Sequence, residues 1–327
     1  MKNYFTYLVV TISMLLQFSS CAFEDGKRVA PQWFLSGSQK IIYNLDNLGW
    51  EESTITTDTI LFRDIESNNS KELIAVGQNG NIWHSYNLGK SWYDRTAENG
   101  NTSRLWEVTY NNGKYVAVGN SGIIVTSDDG KTWDNRSSGV IKVLRGVAYG
   151  NSKYVVVGHG GTVLTSTDSI SWTAQTEPTA QNLFGLNYLN NIFIGVGNNG
   201  TILTSSDGIN WSLKTSGTSE SFKEISYGNG VYVAVATNGV IYTSTDTNTW
   251  TSRTSATDGD LWAVEFGNGY FLAGGVDLVK SIDGTTWEKI TTNVIYGIEY
   301  IEGSVTEYVI RHNPSKPSTN LMFDLTN

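Results

Sequence analysis

The chain has 327 residues and a formal net charge of −9, from 22 basic and 31 acidic side chains. No run of Lys or Arg is dense enough to neutralise a string of phosphates, so nucleic acid is excluded as an expected partner. Glycine (34), tyrosine (17) and tryptophan (11) are abundant, the composition of short strands joined by tight turns, which argues for an all-β chain.

At the N-terminus, Lys2 precedes an apolar stretch from Tyr4 to Phe18 and then Ser19-Ser20-Cys21. Residues 1–20 read as a signal peptide, because the apolar run falls short of the roughly 20 residues that span a bilayer as a helix. Cys21 is the single cysteine, whereas exported chains usually pair their cysteines. The Ser-Ser-Cys ending resembles the lipobox of bacterial lipoproteins, although Phe18 stands where an aliphatic residue is usual. That resemblance implies cleavage before Cys21 and lipidation of its thiol, with membrane attachment through the lipid alone. Ala22 after the cysteine then favours the outer membrane or cell surface. The alternative is plain secretion with cleavage near Ser20 or Ala22. Residues 21–38 read as the lipidated cysteine and a tether, leaving 39–327 as the folded domain.

Tryptophans at positions 50, 92, 133, 172, 211, 250 and 287 recur about every 40 residues, the period of propeller blades. The last five close similar heptapeptides: Ser127 to Trp133 (with Asp128 and Asp129), Ser166 to Trp172 (Asp168), Ser205 to Trp211 (Asp207), Ser244 to Trp250 (Asp246) and Ser281 to Trp287 (Asp283). In such a turn the aspartate accepts backbone N–H groups, Gly or Asn takes the positive-φ position, and Trp packs over the hairpin. The role expected of these residues is structural, because one carboxylate per repeat cannot converge on one ion. Trp211→Ala is expected to be costly if that ring is buried. The heptapeptides resemble the Asp-box, or BNR, repeat, a likeness covering residues 40 to 300. Ser85 to Trp92 is a copy with Asn87 for Asp, and Asp46 to Trp50 a degraded first copy.

Between boxes each unit reads as four strands, the first pair joined by turns such as Asn112-Gly113 and Asn229-Gly230, the next pair by turns such as Asn79-Gly80 and Asn238-Gly239. These are two-residue hairpin signals. Six units follow, at about 60–96, 104–137, 143–176, 182–215, 221–254 and 260–292. Ile295 to His312 reads as a first and second strand, and Gln39 to Ser53 as a third and fourth. Together they predict a seventh blade, giving an all-β, seven-bladed propeller of four-stranded antiparallel blades closed by its two ends. Asn320 to Leu325 is a competing strand for that closure.

Aligning the first strands isolates one position, occupied by Arg63, Trp106, Arg145, Phe184, Lys223, Trp262 and Tyr296. Cationic and aromatic side chains share it, and no packing rule demands them, so it is the candidate ligand or partner site, suited to an anionic or aromatic group. The competing reading is aromatics wedged between blades and cations reaching solvent. His159 is expected on the same face. No cofactor, metal site or catalytic residue is expected: His84, His159 and His312 lack metal-ligand spacing. Asp-box sialidases use an arginine triad, for which Arg63, Arg145 and Arg253 are the candidates, but Phe62-Arg63-Asp64-Ile65 departs from the family's Phe/Tyr-Arg-Ile-Pro motif. Assembly factors of the photosystem II stability type are also Asp-box propellers; they hold protein partners and carry an arginine patch. That likeness implies a non-enzymatic scaffold that presents loops and a channel mouth to a protein partner; with the lipid anchor the expectation is a monomeric scaffold at the envelope, the alternative being glycan binding or glycoside hydrolysis.

Overall fold

In the repeats a first strand such as Leu105–Asn111 mixes apolar with polar and charged residues, and a second strand such as Lys114–Gly119, with sequence KYVAVG, is apolar nearly throughout. A strand buried on one face alternates and one buried on both faces does not, so the second strands must lie between packed sheets. A computed structural model bears this out. It describes residues 61–68, 72–96, 100–291 and 294–301, and the backbone of strands at 23–24, 27–28, 32–37, 41–46 and 49–54.

Six blades are each built of four consecutive antiparallel strands. Blade 1 runs Phe62–Ser67, Leu73–Gly77, Ile82–Ser85 and Tyr93–Asp94. Blade 2 runs Leu105–Asn111, Lys114–Gly119, Ile124–Ser127 and Asp134–Arg136. Blades 3, 4, 5 and 6 repeat the plan from Leu144, Leu183, Phe222 and Leu261. The hairpins follow the turn chemistry: Asn111 pairs Lys114 across Asn112 and Gly113, whose φ values are 52° and 75°. Two successive left-handed residues give the turn whose twist matches the strands.

The count of seven such blades is corrected to six. Between blade 6 and blade 1 stands a composite four-stranded sheet, in which Ile295–Ile301 is followed by Gln32–Gly37, Ile41–Asp46 and Gly49–Thr54. Its third and fourth strands match the expectation. Its second strand does not, because Gln32–Gly37, assigned to the tether, pairs with Ile295–Ile301 in the place expected for the segment up to His312. Second strands are buried on both faces in the blades, and Gln32–Gly37 carries an apolar run, Trp33-Phe34-Leu35, of the kind that place takes. Cys21, His312 and Asn320 to Leu325 lie outside the described residues.

The core lies between sheets. Ile74, Val76 and Ile82 of blade 1 pack with Leu105, Val108, Tyr115 and Trp133 of blade 2, and Ile295 and Ile298 of the composite sheet pack with Leu272 and Leu278 of blade 6. Each sheet therefore depends on its neighbours for apolar burial. The innermost strands touch in a closed cycle, from blade 1 through blade 6 and Ile295–Ile301 back to blade 1.

The tryptophan-ended turns staple themselves. Asp207 Oδ1 accepts the N–H groups of Ile209 and Asn210, both at 2.8 Å, and Trp211 Nε1 donates to the Gly208 carbonyl at 3.3 Å. Asp168, Asp246 and Asp283 accept in the same way, and Trp172, Trp250 and Trp287 donate in the same way. In the blade 2 turn Asp129 is the acceptor, while Asp128 pairs with Lys114. The left-handed position is held by Gly130, Gly208 and Gly284 but also by Ser169 and Thr247.

Candidate functional site

Each innermost strand has one edge turned to the central channel, with no further strand to pair its amides. The ladder with the second strand also slips once per sheet, between Phe62 and Asp64, Leu105 and Glu107, Leu144 and Gly146, Leu183 and Gly185, Phe222 and Glu224, and Leu261 and Ala263. In the composite sheet the slip skips Tyr296. The skipped residues are Arg63, Trp106, Arg145, Phe184, Lys223, Trp262 and Tyr296, the seven aligned in the sequence. A β-bulge leaves its extra residue out of the ladder and re-aims its side chain. Here seven bulges bring seven side chains together around a single cavity of about 420 Å³.

The side chains interleave as a collar. Lys223 Nζ lies 4.3 Å from the Phe184 ring centre, and Arg145 Cζ lies 5.1 Å from that ring and 3.6 Å from Trp106. Arg63 Cζ lies 5.0 Å from Trp106 and 4.3 Å from Tyr296, which stacks on Trp262 at 4.8 Å and 19°. Arg104 adds a third guanidinium over Trp106, at 4.8 Å. The indole N–H is fixed by Asn120 Oδ1 at 2.7 Å. Three arginines thus converge on one indole, and the Nε atoms of Arg63 and Arg145 are buried with no hydrogen-bond partner among the described residues. Burial, then repulsion from Arg63, pulls the Arg145 pKa down to about 10, which leaves it charged at neutral pH. His159 stands at the same mouth, edge-on to Phe184 at 6.1 Å. Arg253 instead donates to Thr243 Oγ1 within blade 5, so the three arginines weighed as a sialidase triad do not converge. His84 is buried in blade 1, with Nε2 3.6 Å from Glu72.

Beneath the collar lies a second layer that the aligned position did not reveal. Asp64, Glu107 and Glu224 follow collar residues directly, and Glu66, Glu265 and Glu299 come three residues after them; all six line the cavity. Several serve the unpaired strand edges. Asp64 accepts Val108 N–H at 2.9 Å, Glu66 accepts Tyr110 N–H at 2.6 Å, and Glu107 accepts Val147 N–H at 3.0 Å, each across a blade junction. Glu224 accepts Asn187 Nδ2 at 3.1 Å. Burial is the main force raising their pKa values, to about 7 for Asp64 and Glu265, about 8 for Glu224, and well above the usual range for Glu66, Glu107 and Glu299. The sequence did hold a signal: a carboxylate recurs one or three residues after the collar position in five of the seven first strands.

The fold and site define a β-propeller with a cationic and aromatic channel mouth. The chain is similar in structure to YCF48 from Cyanidioschyzon merolae, with a TM-score of 0.59 and 19% identity over 74% of this chain and 89% of that one. A structure of YCF48 bound to D1 peptide matches with a TM-score of 0.58 and 17% identity, over 74% and 91%. The WD40 β-propeller domain of Doa1 gives 0.60 and 11%, over 81% and 89%. No protein-family model matches this sequence, and neither does any curated protein.

Proposed function

We propose that this protein is a non-enzymatic binding and assembly scaffold whose channel mouth holds a segment of a protein partner bearing carboxylates or an aromatic ring. The observation that carries the reading is the convergence of Arg63, Arg104 and Arg145 on Trp106. Like charges held together lower one another's proton affinity, and Arg104 acts so on both Arg63 and Arg145. An anion placed among them relieves that repulsion, and the half-buried rings of Phe184 and Trp262 add a stacking surface. The similar YCF48 structure with bound D1 peptide is in line with a peptide-holding role.

The reading extends to the turns and the N-terminus. We assign the tryptophan-ended turns to the Asp-box repeat, on their Ser-Asp-Trp pattern and self-satisfied geometry. Lipid on Cys21 then displays the propeller, as a monomer, on a bacterial envelope surface. Metabolic labelling with palmitate tests the anchor, and an unlabelled protein rejects it.

The decisive experiment is capture of partners from envelope extracts with wild type and with Arg145→Ala plus Trp106→Ala. The double variant is expected to lose its partner while keeping its circular dichroism spectrum. Undiminished capture rejects the mouth as the site, and turnover of a fluorogenic sialoside rejects the non-enzymatic reading.

A further inference from the structure

The six carboxyls beneath the collar share one cavity of about 420 Å³ with the collar cations. Six carboxylates so confined cannot all ionise together, because each charge raises the cost of the next. We propose that this cluster is a proton-operated control on the mouth. With the carboxyls protonated, the collar cations are uncompensated and hold an anionic segment; as the carboxyls ionise, they neutralise the collar from beneath and release it. This inference rests on the reading of the mouth as an anion-holding site.

The hydrogen bonding permits such a change without loss of the ring. Asp64, Glu66 and Glu107 accept backbone N–H groups of the next blade, and a neutral carboxyl keeps a carbonyl oxygen that accepts the same bond. Protonation therefore alters the charge of the lumen but not its stitching.

The groups facing the cluster are known for every strand around it. Blade 1 contributes Arg63, Asp64 and Glu66, and blade 2 contributes Glu107. Blade 3 contributes Arg145, and blade 4 contributes the uncharged Phe184 and Asn187. Blade 5 contributes Lys223 and Glu224, blade 6 contributes Glu265, and the composite sheet contributes Tyr296 and Glu299. Arg104 and His159 stand at the rim. Arg145 couples the layers: Arg63 and Arg104 lower its proton affinity, while Glu107 and Glu224 raise it. Asp64 and Glu265, raised by burial to about 7, and Glu224, raised to about 8, place the first ionisations near neutral pH.

The test uses a hexaglutamate peptide carrying a tetramethylrhodamine label, whose charge and emission do not change over the interval and whose glutamates are ionised, at about pH 5.5 and about pH 8.5. Wild-type affinity is expected to fall about tenfold or more across that interval, and Asp64→Asn plus Glu224→Gln, which keeps both acceptor oxygens, to flatten the fall. Binding by wild type that does not change with pH, or an equal fall in the variant, overturns the proposal. Thermal midpoints of both proteins give a second readout that needs no ligand. The variant is expected to gain on wild type as pH rises, because it has fewer carboxyls to ionise in the lumen. A difference that stays constant with pH overturns proton control. Absence of binding at both pH values refutes the mouth reading and with it the release step, while the midpoints still decide whether the lumen titrates.

Discussion

Trp133 and Trp211 close equivalent turns in different surroundings. Trp133 is only 3% exposed and packs with Tyr115 in the core between blades 1 and 2, whereas Trp211 is partly exposed at the margin of its cluster. Truncating a buried tryptophan leaves a cavity as well as removing apolar contact, so Trp133→Ala is expected to cost about 3–5 kcal/mol in urea unfolding, and Trp211→Ala clearly less. Equal losses at the two sites would show that the turn, and not the burial, sets the cost. The turn carboxylates act through charge. Asp168 is held down to about 2 by the backbone N–H groups of Ser171 and Ile170, and Asp129, Asp207, Asp246 and Asp283 also lie below the ordinary range. A group whose folded pKa is depressed gives stability that is present above its unfolded value and lost as pH falls through the folded one. Asp168→Asn is therefore expected to weaken the fall in thermal midpoint between about pH 4 and about pH 2.

At the scale of the strand, the informative features are the bulges and the close approach of neighbouring blades. Blade-to-blade spacing is set in part by glycines under aromatic rings: a Cβ on Gly228 would lie 2.0 Å from the Phe266 ring, and one on Gly150 2.1 Å from that of Tyr188. Gly228→Ala has to displace a packed ring, and overpacking of this kind costs about 1–3 kcal/mol. Calorimetry on that variant is expected to show a lower midpoint; an unchanged midpoint would mean that the blades can part freely. The bulges explain why the aligned first-strand position is special. Without the slip between Leu144 and Gly146, Arg145 would keep its place in the alternation of the strand. Removing it from the ladder lets a guanidinium and its aromatic neighbours line the mouth.

For the whole molecule, two sets of carboxyls pull stability in opposite directions. The turn aspartates favour the fold above about pH 4, by the sign just given. The lumen carboxyls, raised by burial, do the reverse. Their contribution is fully present below the unfolded pKa near 4 and is lost as pH climbs through folded values such as about 7 for Asp64 and about 8 for Glu224. Maximal stability is expected at mildly acid pH, read as the highest thermal midpoint in a series from about pH 3 to about pH 9. A midpoint that climbs steadily to the alkaline end would contradict the burial of the lumen carboxyls. The ring has one junction of unusual make-up, where Ile295–Ile301 meets Gln32–Gly37. A closure that joins the two ends of the chain resists opening only while both ends are present, so deletion of residues 22–38 is expected to destabilise the propeller cooperatively.

The repeat period, the four strands per unit, the two-residue turns and the seven collar positions were legible in the sequence because each is local. A turn such as Asn112-Gly113 satisfies its own backbone, and Asp207 hydrogen-bonds residues two and three ahead of it, so neither needs distant chain to be recognised. The tertiary structure alone decided what depends on neighbours. It set six continuous blades with a composite sheet in place of the expected seventh, since a second strand is chosen by which apolar segment fills a slot buried on both faces. It also decided that seven bulges meet at one mouth, and that carboxyls far apart in the chain share one lumen where burial and mutual repulsion raise their pKa values.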